Sequence, residues 1–84
     1  MGELSTLPNI GKKLEMQLNQ VGIMTVDQFK EIGSKEAWLR ILSMDRSACI
    51  LRLSALEGAI QGIRRNDLDQ KTKNELKAFY HEHK

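Results

Sequence analysis

A single proline, Pro8, stands in a chain otherwise dominated by strong helix formers, and no stretch sustains the period-two alternation of a half-buried strand. Leu, Lys, Glu, Gln, Ala, Met and Arg lose little freedom in a helix, so apolar residues recurring every three or four positions read as helix faces. Glycines fall between these runs and punctuate them. The expected fold is all-α, a compact bundle of about five short helices packed around one core.

Spacing places the segments. Ile10, Leu14, Leu18 and Val21 share a face, and Gly22 after them predicts a helix from about Gly11 to Val21 with glycine as its C′ residue. Thr25-Val26-Asp27-Gln28 has the order of a capping box, opening a short helix with Val26, Phe29 and Ile32 inward and Gly33 as its stop. Ser34 is expected to cap a third helix carrying Ala37, Trp38, Ile41 and Leu42. Asp45 is expected to cap the longest helix, whose stripe is Cys49, Leu53, Leu56, Ile60 and Ile63. Within it, Gly58 signals the close approach of a neighbouring helix, and Gly62 is placed to end it. Asp67 or Asp69 opens the last helix, with Leu68, Thr72, Leu76, Phe79 and Tyr80 on one face. Periodicity does not assign Met16, Met24 or Leu39 to core or surface.

Length and composition narrow the function. The chain of 84 residues is expected to form one domain, residues 1–84. A domain of this size buries only about 60% of its unfolded surface, which leaves little room for a cofactor cleft. Cys49, beside Ala48, Ile50 and Leu51, reads as a buried small hydrophobe whose apolar setting raises the thiol pKa, and a lone cysteine fits a reducing, cytoplasmic compartment. The longest apolar run, residues 48–51, is far short of the ~20 needed to span a bilayer, so no membrane partner is expected. Met1-Gly2 with Thr6 formally fits the myristoylation pattern, but no polybasic patch follows to supply a second anchor.

Catalytic and metal constellations are weak. His81 and His83 lie two apart, so on a helix they point in different directions and do not share a metal. No serine sits in a nucleophile elbow and no glycine-rich loop has nucleotide-binding spacing. A protein that is not an enzyme, with no cofactor, no metal and no small-molecule substrate, is the expectation.

Leu7-Pro8-Asn9-Ile10-Gly11-Lys12-Lys13-Leu14 carries the most information. It resembles a helix-hairpin-helix unit, in which a tight turn joins two short helices and its backbone amides hold a DNA phosphate without reading the bases. Unpaired N–H groups at a helix start attract anions, and Lys12 and Lys13 add counter-charge. The candidate nucleic-acid contact is Asn9, Ile10, Gly11, Lys12 and Lys13. Asn9 stands where the commonest form of the turn has glycine; asparagine tolerates the left-handed backbone, but its side chain is placed to crowd a phosphate. Local charge does not favour the hairpin, because residues 1–33 hold three lysines against four acids. Residues 34–65 hold six basic residues against three acids, with Arg64 and Arg65 as a secondary basic surface. The plainer role for that pair is to complement the dipole at a helix end.

Together with Val21-Gly22-Ile23, Thr25-Val26, residues 32–38, residues 56–59 and residues 65–68, the hairpin resembles the C-terminal domain of the TfoX/Sxy family of bacterial competence regulators. The resemblance implies a standalone helical, cytoplasmic, non-enzymatic domain. It implies a regulatory module in a competence or transcription context that binds DNA non-specifically through the hairpin. The alternative expectation is a protein–protein interaction module, an adaptor or homodimer, with no direct contact to nucleic acid.

Overall fold

The computed structural model describes residues 3–83; Met1 and Gly2, and with them the start of the myristoylation pattern, lie outside the described residues. After a one-turn 3-10 segment, Glu3–Thr6, five α-helices follow: α1 (Lys12–Gln20), α2 (Val26–Ile32), α3 (Ser34–Met44), α4 (Ile50–Gln61) and α5 (Gln70–His83), with a second 3-10 turn, Arg65–Asp67, before the last. No strand occurs among the described residues. The first half of the helix-hairpin-helix-like unit is thus a single 3-10 turn.

The apolar faces converge as their spacing predicts. Leu18, Ile23, Phe29, Trp38, Ile41, Leu53 and Leu56 are fully buried, and Leu4 of the first 3-10 turn joins them. Helix α3 packs on α4, α2 and α1, while α4 also receives α5 and the second 3-10 turn. Leu39 lies partly buried against the core, whereas Met16 and Met24 are exposed.

Local signals set several boundaries. The Thr25–Gln28 box is formed: the Gln28 amide donates to Thr25 Oγ1 at 3.1 Å and the Thr25 amide donates to Gln28 Oε1 at 3.2 Å. Gly22 and Gly62 adopt φ of 89° and 77°. There the next residue's amide reaches back five residues, from Ile23 to the Leu18 carbonyl and from Ile63 to the Gly58 carbonyl, each at 2.9 Å. This closure needs the left-handed conformation that glycine adopts without strain. The Asp69 carboxylate accepts from the Thr72 amide at 2.7 Å and opens α5.

Two expected caps are elsewhere. Ser34 is the first residue of α3, whose N-cap is Gly33; the Ser34 hydroxyl donates to Glu57 Oε1 on α4 at 2.5 Å. Asp45 ends α3 rather than starting α4, whose N-cap is Cys49. The Asp45 carboxylate accepts from the Ser47 amide and hydroxyl, from Gln17 Nε2 at 2.9 Å and from Arg52 at 3.1 Å, so α1, α3 and α4 meet on it. Ser47 first, then Gln17 and Arg52, hold the Asp45 carboxyl far below the usual carboxylate range. With its start moved to Ile50, α4 spans 12 residues and α5, with 14, is the longest helix.

Cys49 also differs from expectation. It is only partly buried, and although desolvation opposes ionisation, the backbone amides of Arg52 and Leu51 and the Arg52 charge lower its pKa. A helix N-cap supplies donors that an apolar sequence neighbourhood does not reveal.

Candidate nucleic-acid interface

The hairpin turns on Asn9. Its φ is 69°, the only positive value among the described non-glycine residues. Asparagine occupies this region more readily than other side chains, so the turn forms without the glycine of the commoner motif. The side chain does not crowd the outer face of the turn. It runs inward, where Nδ2 donates to the carbonyls of Ile63 at 3.0 Å and Ala55 at 3.4 Å, and Oδ1 accepts from the Arg65 amide at 3.3 Å.

Gly58 makes that path available. A methyl group there would stand 2.6 Å from Asn9 Nδ2, 2.8 Å from the Ile63 carbonyl and 3.1 Å from the Arg65 amide. The close approach read from Gly58 is therefore that of the hairpin side chain and the returning chain, not of another helix.

Ile10 points into the core, and its amide donates to the Leu7 carbonyl at 3.4 Å. The open donors begin one residue later. Gly11 is the N-cap of α1 and supplies no side-chain cap, and the first amide bonded back into the helix is that of Glu15, to the Gly11 carbonyl at 2.9 Å. The intervening amides have no acceptor among the described residues. Lys12 and Lys13 are exposed beside them. Glu15, buried beneath the same turn, accepts from the Ser5 amide at 3.2 Å and ties the first 3-10 turn to α1.

Arg64 and Arg65 are exposed where the chain leaves α4. Folding brings this pair to the hairpin, because the Arg65 amide is bonded to Asn9. Among the described residues the ion pairs are Arg40–Glu36 and Arg52–Asp45, both at 3.1 Å, so Lys12, Lys13, Arg64 and Arg65 keep their charges uncompensated at contact distance. The hairpin and the arginine pair are far apart in the sequence; their junction depends on contacts across 46 to 56 residues, which no local signal carries.

Other sites are poorer in such chemistry. A groove of about 380 Å³ between α3, α4 and α5 is lined by Lys35 but also by Glu36, Glu57 and Glu75. A second, of about 360 Å³, lies beside the first 3-10 turn against Lys12, Glu15, Met16 and Asn19. No group of three metal-ligating side chains forms among the described residues, and no helix there is long and apolar enough to cross a membrane.

Comparison with known proteins places these features in a family. The profile described as the TfoX C-terminal domain matches residues 1–80. Protein Sxy of Escherichia coli (strain K12) is 37% identical over 73 residues, covering 87% of this chain and 35% of Sxy, so the chain spans about a third of that relative. Among solved structures, an uncharacterized protein from Listeria monocytogenes in a triclinic form is 54% identical, with a TM-score of 0.93 over 94% of this chain and 90% of that one. A protein of unknown function from Listeria monocytogenes in a tetragonal form, also 54% identical with a TM-score of 0.93, covers 95% of this chain and 98% of that one.

Proposed function

The chain belongs to the TfoX C-terminal domain family, and from that premise we propose that it is a non-catalytic regulatory module that holds the DNA backbone, without reading bases, at residues 9–13. The observation that carries this reading is the inward course of the Asn9 side chain, which leaves the outer face of the turn to the open amides after Ile10. Phosphate oxygens accept from such amides, and the positive end of α1 favours the anion. Lys12 and Lys13 add sequence-independent attraction. The regulatory setting, competence or transcription, is the one the family resemblance implies, and the Sxy relative belongs to the same proposal.

Titrating duplex and single-stranded DNA at low salt while following backbone amide shifts tests the proposal. Shifts concentrated in residues 9–13, with affinity falling as salt rises, are expected. The double variant Lys12→Ala/Lys13→Ala is expected to weaken binding to all sequences alike and to flatten the logarithmic salt dependence by about 2. Silence of the hairpin amides in both titrations would sink the idea.

A second reading, a protein-interaction module, is favoured by Met16, Met24, Met44 and Leu51, each 44% exposed or more. It predicts a concentration-dependent mass, or a partner retained after nuclease treatment.

A further inference from the structure

We propose that Asn9 is a positioning residue: its carboxamide holds the Arg64–Arg65 corner in register with the hairpin, so that Lys12, Lys13, Arg64 and Arg65 meet one duplex backbone as a single surface. This rests on the DNA reading above and adds a second basic pair and the residue that aligns it.

Three observations carry it. The turn itself does not require asparagine, because glycine adopts the same φ more readily. What asparagine adds is a set of three hydrogen bonds, to Ala55, Ile63 and Arg65, that join the start of the chain to the end of α4. The receiving site is shaped for that side chain, since a Cβ at Gly58 would stand 2.6 Å from Nδ2. Finally, the element so held carries two exposed arginines outside any ion pair among the described residues, and its Arg65 amide is bonded to the hairpin that carries Lys12 and Lys13, which are in the same condition.

The complementary occupant is a polyanion with regularly spaced phosphates. A duplex supplies charge all along its backbone, and each phosphate neutralised contributes about −0.9 to the slope of log K against log salt. Arg64 and Arg65 therefore count as part of the interface only if they add to that slope, and Asn9 positions them only if its loss removes their share.

Asn9→Gly is the direct probe, because it keeps the backbone conformation and every charge. In the whole chain it is expected to speed hydrogen exchange of the Arg65 amide, which loses its acceptor, and to reduce the salt slope for duplex binding by up to about 2. Arg64→Ala/Arg65→Ala is expected to produce the same reduction in the unaltered background and little further change in the Asn9→Gly background. A merely structural role for Asn9 would lower stability but leave the two effects on the slope additive. Additive effects, or an unchanged slope in Arg64→Ala/Arg65→Ala, overturn the inference while the DNA reading stands. Failure of the unaltered chain to bind duplex overturns the DNA reading itself. If Asn9→Gly does not fold, the slope of Arg64→Ala/Arg65→Ala decides whether the arginines belong to the surface. Gly58→Ala, which displaces the carboxamide, then decides whether Asn9 holds them there.

Discussion

Gly58 lies inside α4, where alanine would ordinarily gain about 1 kcal/mol from helix propensity. Here that gain is opposed by contacts of 2.6 Å to Asn9 and 2.8 Å to the Ile63 carbonyl. The carbonyl belongs to backbone tied to the end of the same helix, so it has little room to yield. Overpacking of this kind costs about 1–3 kcal/mol, and displacing Asn9 forfeits hydrogen bonds worth about 1 kcal/mol each. Gly58→Ala is therefore expected to destabilise the protein by about 1–3 kcal/mol in urea unfolding; stabilisation would show that the hairpin yields without loss. Asn9 shows what a local reading reaches. Its left-handed backbone follows from residue type and turn position, whereas the destination of its side chain depends on Ala55, Ile63 and Arg65, all more than 40 residues away.

At the scale of elements, the signals that proved legible are those whose donor and acceptor both lie within a turn or two. Thr25 with Gln28, Gly22 after α1 and Asp69 before α5 are of this kind. Ser34 and Asp45 have the residue types of N-caps, but Glu57 and the Gln17–Ser47–Arg52 set occupy them instead. Helix starts moved accordingly. The Asp45 junction makes a prediction for acid. Its folded pKa is depressed below the ordinary 3.8, so the stability it contributes is complete above that value and is lost as pH falls through the lower folded one. Between pH 7 and 2 the melting temperature of the wild type is expected to fall more than that of Asp45→Asn. Parallel curves would mean that the carboxylate is equally well satisfied in the unfolded chain.

Over the whole molecule, the net charge of +2 averages two regions that the fold rearranges. The acidic character of the first 33 residues is partly withdrawn, because Glu15 is buried and the Glu3 carboxylate accepts from the Val26 amide at 2.9 Å. Meanwhile Arg64 and Arg65 arrive at the hairpin from the basic middle of the chain. The all-α architecture was legible because apolar periodicity survives in each helix, but the charge surface was not, since it is assembled from segments about 50 residues apart in the sequence. The same assembly gives the C-terminal helix a marker of its own. Trp38, the sole tryptophan, is fully buried on α3, with the rings of Phe79 and Tyr80 from α5 at 6.0 and 5.6 Å. Its indole N–H has no acceptor among the described residues. Emission from this indole should accordingly be blue-shifted while α5 is docked and move to the red when α5 lifts. Leu76→Ala removes the buried anchor of α5, a change that costs about 2–5 kcal/mol in a core, and is expected to advance the emission transition in urea. An emission transition ahead of the far-ultraviolet circular dichroism would mark α5 as the first element to leave, making a single fluorophore the optical gauge of how this domain opens.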